Sequence, residues 1–227
     1  MIAILDYGAG NLRSVQNTLD EIGCEYSLVC DAAGLRSASK ILLPGVGHFG
    51  QMMRALDALE VRDALIERIA AGVPFLGICL GLQALFDASE EAPEVRGLGI
   101  FEGIVRRFPA HARVPHMGWN ELELRGESKL LRGFGAASAT GPDSDRSHDR
   151  KGVVAAGSTK SPVPGTRPFV YFAHSYYAPE GDYASAVCAY AVPFTAALEE
   201  GNVFGVQFHP EKSGAAGLAI MRNFVAC

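Results

Sequence analysis

Two short stretches of this chain carry residue types that do covalent chemistry. The first is Gly77-Ile78-Cys79-Leu80-Gly81-Leu82-Gln83, which follows the apolar run Val73-Pro74-Phe75-Leu76. A short apolar run suits a central strand, the flanking glycines permit a tight turn, and Leu82 to Phe86 continues at helical spacing. Such a turn presents one side chain at the sheet edge beside a helix N-terminus, where the positive end of the dipole favours thiolate over thiol. The pattern is the cysteine version of the G-x-S-x-G nucleophile elbow. A free cysteine in apolar surroundings is also an ordinary core residue. The second stretch is Gly205-Val206-Gln207-Phe208-His209-Pro210-Glu211-Lys212, a strand that ends in a histidine with a carboxylate two residues on. An i, i+2 pair at a strand end can place both side chains on one side, so Glu211 can hold the His209 ring in the tautomer that a general acid or base requires. Alone, His209 reads as a structural histidine and Glu211 as a surface charge. Beside an elbow cysteine, the three read as a triad.

A cysteine that attacks a carbonyl carbon also needs donors for the developing oxyanion, and backbone N–H groups at glycine turns or helix starts are the usual supply. Pro44-Gly45-Val46-Gly47 ends the strand expected to neighbour the elbow strand. The N–H groups of Val46 and Gly47, with that of Leu80, are the candidates. The same segment is equally compatible with a plain strand-to-helix turn whose glycines supply φ > 0.

The elements that must position these residues follow a βαβ rhythm. Ile2 to Leu5 reads as a strand running into the glycine-rich Asp6-Tyr7-Gly8-Ala9-Gly10 turn, and a helix follows with apolar positions at Leu12, Val15 and Leu19. Tyr26 to Val29 and Lys40 to Leu43 are the next strands, and Met52 to Ala71 is one helix or two. Alternating strands and helices predict an α/β domain with a central, mostly parallel sheet flanked by helices and ligands at its C-terminal edge. The first turn lacks the full G-x-G-x-x-G pattern and its acidic partner, so dinucleotide binding is set aside. After residue 95 the texture turns to shorter segments and predicts a β-rich second half. It includes Ile100 to Phe108, a turn at Pro115 to Asn120, Glu121 to Leu124, and strands near 168–172, 184–190, 195–198 and 203–208, before a last helix over 215–225. Gly135 to Arg167 holds only Val153, Val154 and Val163 as sizeable apolar residues. It is expected to be a flexible surface insertion in an otherwise single domain of residues 1–227, tolerated rather than regulatory.

Composition excludes several classes. With 20 basic against 25 acidic residues the net charge is −5, which gives no electrostatic case for nucleic acid or an anionic membrane. Five cysteines without C-x-x-C spacing suggest neither a disulfide framework nor a structural metal, and no cofactor is implied. The start lacks the basic n-region of a signal peptide and no apolar run is long enough to span a bilayer, so a cytoplasmic location is expected.

Together, Gly77-Ile78-Cys79-Leu80-Gly81-Leu82-Gln83 and Gln207-Phe208-His209-Pro210-Glu211 resemble the class I (triad) glutamine amidotransferases. Asp6 to Leu12, Pro44-Gly45-Val46-Gly47-His48-Phe49-Gly50, Pro115-His116-Met117-Gly118-Trp119-Asn120 and His174-Ser175-Tyr176-Tyr177 narrow the resemblance to the glutaminase subunits of histidine biosynthesis. It covers nearly the whole chain except Gly135 to Arg167, which is longer than the family's usual connection. The resemblance implies that Cys79 attacks the side-chain amide of glutamine, that His209 protonates departing ammonia, and that water hydrolyses the glutamyl thioester. It also implies glutamine contacts by Gln83, Glu91, Ser175, Tyr176 and His174. On the residues alone, Gln83 can equally cap or pack, and Glu91 can lie on a solvated face. A glutaminase of this family delivers ammonia to a synthase, here a separate cyclase subunit built as a (β/α)₈ barrel and held as a heterodimer. Asn11, Met117, Trp119 and Lys212 match family positions at or near that interface. Trp119 suits an interface anchor, with a core aromatic as its bland alternative. The rivals are the same triad serving an anthranilate, aminodeoxychorismate or guanylate synthase, and a non-catalytic binding module on the same fold.

Overall fold

The structure is a computed structural model that describes residues 1–8, 11–135 and 167–227. Strands β1 (Ile2–Leu5), β2 (Tyr26–Val29), β3 (Lys40–Gly45) and β4 (Phe75–Cys79) pair in parallel. Every residue of β1 and β4 is buried, because a parallel sheet is covered on both faces and its strands read as unbroken apolar runs. The crossovers are α1 (Leu12–Ile22), α2 (Ala32–Ser37), and the pair α3 (Phe49–Ala58) and α4 (Arg62–Ala70). The predicted Met52–Ala71 segment is thus two helices, broken where Glu60 takes φ 55°.

The connection from α4 leads through β4 into α5 (Leu80–Gln83), then β5 (Phe86–Ser89), β6 (Phe101–Arg107), β7 (His116–Glu121) and β8 (Glu123–Leu124). From residue 167 onward come β9 (Phe169–His174), β10 (Tyr176–Tyr177), β11 (Ala184–Ala189), β12 (Pro193–Glu200), β13 (Val203–Val206) and α6 (Gly214–Ala226). The main sheet runs β2-β1-β3-β4-β13-β12-β11-β8. Its parallel half ends at β13, which lies parallel to β4, and the remaining strands continue antiparallel. The expected mixed, mostly parallel sheet with a β-rich second half is therefore the fold. One apolar cluster, with Leu43, Phe49, Leu56 and Phe86, packs on one face. The other, with Val15, Ile78, Phe172, Phe208 and Phe224, packs on the opposite face under α1 and α6.

Two local expectations fail. The elbow helix, predicted to run through Phe86, ends at Gln83 after one turn. Phe86 instead begins a strand, because its ring buries against Phe101 and Tyr183 at 5.8 and 5.5 Å between centroids, and tertiary burial outweighs local spacing. The stretch Pro115 to Asn120, read as a turn, forms most of β7, paired antiparallel with β9 from His116↔His174 to Glu121↔Phe169. The insertion expected over 135–167 lies, apart from its two end residues, outside the described residues. No described helix is long and apolar enough to cross a membrane.

Candidate active site

Cys79 ends β4 with φ 54° and ψ −104°, a conformation that costs a non-glycine residue about 1–3 kcal/mol. The positive φ thus sits on the cysteine, and the flanking glycines serve a different purpose. A Cβ on Gly77 would lie 2.4 Å from the Gly81 carbonyl oxygen, and one on Gly81 would lie 2.0 Å from the Leu43 carbonyl oxygen. Both glycines let the single turn of α5 seat directly on β3 and β4. That seating fixes the elbow. Because α5 is only one turn long, the helix dipole invoked from sequence is reduced to the free N–H groups of its first turn, that of Leu80 among them.

Strand register brings the other groups to Cys79. Gly45 of β3 pairs with Cys79, so the Pro44–Gly47 turn leaves the sheet beside the sulfur. Gly47 takes φ 99°, which requires glycine, and nothing crowds its open side. On the other flank Val206 of β13 pairs with Ile78, and the chain continues past Gln207 to His209. The His209 N–H donates to the Tyr171 carbonyl at 2.9 Å, and its ring Nδ1 lies 2.8 Å from Glu211 Oε1. Both side chains are almost fully buried. Nδ1 donates to the carboxylate, leaving Nε2 for the sulfur. Burial works against an imidazolium here, yet hydrogen bonds to Cys79 and Glu211 and the charges of both prevail, holding His209 up at about 10. The sulfur also has the Ala173 carbonyl at 4.0 Å and Gln207 Nε2 at 3.6 Å.

A pocket of about 220 Å³ opens over the sulfur, the scale of one amino acid. Its wall collects Val46, Gly47 and Leu80, then Gln83, Glu91, His174, Ser175 and Tyr176, with Met117 at the rim. All eight residues expected for the oxyanion and for glutamine therefore face one cavity with Cys79 and His209. Glu91 is not on a solvated face: its Oε2 accepts from the Phe49 N–H at 2.7 Å, at the start of α3 and two residues past Gly47. Gln83 is buried, and its Nε2 donates to the Tyr176 carbonyl at 2.8 Å and to Gln207 Oε1 at 3.1 Å.

The remaining expected residues lie outside the cavity. Asn11 sits before α1, without capping that helix through its side chain. Trp119 is 47% exposed rather than core, stacked on Phe169 at 5.8 Å, with Tyr171 edge-on at 6.0 Å. The Lys212 ammonium lies 5.9 Å above the Tyr171 ring. Phe169 and Tyr171, not singled out from sequence, extend this aromatic face.

Sequence reading singled out His174 but not its buried partner His116, and it gave no role to the buried Gln207. His116 Nδ1 lies 3.1 Å from His174 Nε2, and His174 Nδ1 lies 2.8 Å from the Tyr176 carbonyl. A carbonyl only accepts, so His174 carries its proton on Nδ1 and accepts from His116 on Nε2. Burial pushes His116 down to about 4 and, with the nearby His209 and His116, His174 down to about 3, so both are neutral. Their pairing depends on the β7–β9 register, which no local pattern announces. Gln207 did leave a signal: it is the one amide in an otherwise apolar strand, and a buried polar side chain must find partners. No three His, Cys, Asp or Glu side chains among the described residues are grouped to hold a metal ion.

A strained elbow thiol, a carboxylate-held histidine and an amino-acid-sized pocket on an α/β sheet define a class. The chain belongs to the class I glutamine amidotransferases, whose family model matches residues 3–227. Among its relatives is the imidazole glycerol phosphate synthase subunit HisH of Deinococcus radiodurans, 44% identical over 227 residues that cover 98% of this chain and 92% of that protein. HisH of Methanothermobacter thermautotrophicus is 43% identical, covering 99% and 98%. The chloroplastic imidazole glycerol phosphate synthase hisHF of Arabidopsis thaliana is 39% identical across 99% of this chain but 34% of its own length. A crystal structure of a glutamine amidotransferase superposes with a TM-score of 0.69 at 18% identity, covering 99% of this chain and 97% of that one, which shows the shared fold.

Proposed function

We propose that this chain is the glutaminase subunit of imidazole glycerol phosphate synthase, working in histidine biosynthesis. The observation that carries the proposal is the single cavity in which Cys79 and His209 meet the oxyanion and glutamine candidates, in a chain 44% identical to a HisH subunit along nearly its whole length. Cys79 Sγ attacks the side-chain amide carbon of glutamine, with Val46, Gly47 and Leu80 N–H groups receiving the oxyanion. His209, oriented by Glu211, passes the thiol proton to the departing nitrogen, and ammonia leaves. Water, deprotonated by His209, then opens the thioester to glutamate and regenerates the thiol. Gln83, Glu91, His174, Ser175 and Tyr176 hold the amino-acid end of the substrate.

Ammonia released to neutral water is protonated and no longer a nucleophile, so the site needs a synthase against it. The partner in this proposal is the cyclase HisF, a (β/α)₈ barrel that forms a heterodimer with this chain in the cytoplasm. It uses the ammonia to convert PRFAR to imidazole glycerol phosphate and AICAR. Residues 1–227 form one amidotransferase domain, with 135–167 as an insertion. The exposed face of Met117, Trp119, Phe169 and Tyr171, with Lys212 beside it and Asn11 contributing, is the docking surface, since clustered half-exposed aromatics suit interface anchors. In the test, the purified chain is mixed with HisF, glutamine and PRFAR. Glutamate release that requires HisF and vanishes in Cys79→Ala supports the proposal, and turnover retained by that variant refutes it.

A further inference from the structure

Gln207 is fully buried, and its carboxamide is engaged at both ends. Oε1 accepts from Gln83 Nε2 at 3.1 Å, and Nε2 faces Cys79 Sγ at 3.6 Å, an ordinary reach for an atom of sulfur's radius. The orientation of the amide follows from its neighbours. The Tyr176 carbonyl accepts only, so Gln83 presents its NH₂ group on that side and spends its second proton on Gln207. Gln207 must therefore turn its oxygen toward Gln83 and its own NH₂ toward the sulfur. Three groups in a row, the Tyr176 carbonyl, the Gln83 amide and the Gln207 amide, thus join the wall of the glutamine pocket to the nucleophile.

We propose that Gln207 is a further catalytic residue, whose Nε2–H donates to the Cys79 sulfur and stabilises it as thiolate before attack and again when the thioester is opened. The proposal rests on Cys79 being the nucleophile and is independent of which synthase receives the ammonia. The groups around the sulfur show why a neutral donor is needed. His209 faces it from the β13 side with Glu211 behind, Tyr7 approaches from the β1 side, and His174 and Glu91 lie across the pocket. Of these only His209 brings positive charge, and it must give up its proton to the departing nitrogen. The Ala173 carbonyl, 4.0 Å away, can accept from a thiol but repels a thiolate. In both thiolate states the imidazolium of His209 is shared with Glu211, and Gln207 is the other side-chain donor at the sulfur among the described residues. It contributes again when the sulfur is expelled from the glutamyl thioester. Its polarisation is raised by the bond that its oxygen receives from Gln83, as in any hydrogen-bonded chain in a low-dielectric interior.

The test is Gln207→Met in the full chain, which keeps length and volume and removes the donor. Cys79 alkylation by iodoacetamide at pH 7.5 is followed by peptide-resolved mass spectrometry, because Cys30 and Cys227 are exposed and also react. The expected result is alkylation slowed about tenfold, the size of one hydrogen bond to a charged acceptor. With HisF present, kcat for glutamate release falls by about the same factor while the glutamine KM stays within about twofold, a split that loosened packing around the pocket does not produce. A folded Gln207→Met chain alkylated at the wild-type rate overturns the proposal. Should the variant fail to fold, the wild-type chain labelled with ¹⁵N-glutamine serves instead. The Gln207 side-chain amide resonances must move on alkylation of Cys79, and unmoved resonances overturn the proposal equally. Failure of the underlying glutaminase reading is separate: it shows as glutamate release that survives Cys79→Ala.

Discussion

The substitution Gly81→Ala puts the seating of the elbow to a direct test. Its new Cβ would stand 2.0 Å from the Leu43 carbonyl oxygen, where an ordinary contact needs 3.4 Å or more, so α5 and β3 must part by more than an ångström. The obstacle is backbone on both sides, since Leu43 lies in the middle of a paired parallel strand, and no rotamer change relieves it. Overpacking of this kind costs about 1–3 kcal/mol of stability. The greater loss is in geometry. Leu80 and Cys79 move with α5, and a misplacement of about 1 Å costs on the order of 10²-fold in rate when a reaction depends on alignment. Gly81→Ala is expected to remain folded, with a lower urea midpoint and kcat/KM for glutamine down at least about a hundredfold in the presence of the cyclase. Gly72→Ala is the control. Unlike Gly81→Ala it forces alanine into positive φ, but in open space just past the end of α4. It is expected to lose about 1 kcal/mol and keep full activity. Wild-type turnover in Gly81→Ala would refute the view that close approach, rather than turn flexibility, is what these glycines provide.

Three further outcomes follow from the same structure. Glu211→Gln removes the charge that holds the His209 ring and is expected to lower kcat by about 10²–10⁴. Because His209 is held at about 10 against an ordinary 6.5, folding takes up a proton near neutrality. The stability this gives is complete below pH 6.5 and lost as pH rises toward 10, so urea midpoints should fall over that window in wild type and less in Glu211→Gln. His116 and His174 act in the opposite direction: held at about 4 and about 3, they stay neutral in the folded chain while the unfolded chain takes up protons below 6.5. Stability should then drop by about 2–3 kcal/mol per pH unit between pH 6 and pH 4, and by about half that in His116→Phe. Trp119→Ala should change the urea midpoint little, because the ring is half-exposed, while weakening affinity for the cyclase by roughly 30-fold in a calorimetric titration; unchanged affinity would remove Trp119 from the interface.

What could be read from sequence and what could not divides along a physical line. Strands β1, β3 and β4 were legible because burial on both faces leaves a largely apolar run, and that run is local. Cys79, His209 and Glu211 were legible because their chemistry restricts residue type at fixed short spacings. The end of α5 was not, since Leu82 to Phe86 fits a helix locally while Phe86 is drawn into β5 by Phe101 and Tyr183, residues farther along the chain. Strand β7 was hidden for a similar reason. Gly118 at φ 141° and the neighbouring Pro115 read as a turn, and only pairing with β9, some 50 residues on, makes the segment extended. Glu91 was singled out from its spacing to Cys79, but its bond to Phe49 N–H links segments 42 residues apart and left no trace in either.

The β7–β9 ribbon shows how one pair of strands serves two surfaces. Side chains alternate along a strand, so His116 points into the core while Met117 and Trp119 face outward on either side of Gly118. On β9 the same alternation turns Val170, Phe172 and His174 inward and Phe169 and Tyr171 outward. The inward face carries the His116–His174 pair and, through the Tyr176 carbonyl, the amide chain that reaches the sulfur. The outward face is the proposed docking surface, and Tyr171 on it accepts the His209 N–H through its backbone carbonyl. A partner that shifts this ribbon by a fraction of an ångström therefore shifts the backbone anchor of His209 and the wall of the pocket over Cys79 together. Strand pairing transmits such a shift because each strand of the ribbon is fixed to the other along six consecutive residue pairs. A loop carrying the same side chains would absorb the displacement before it reached the triad.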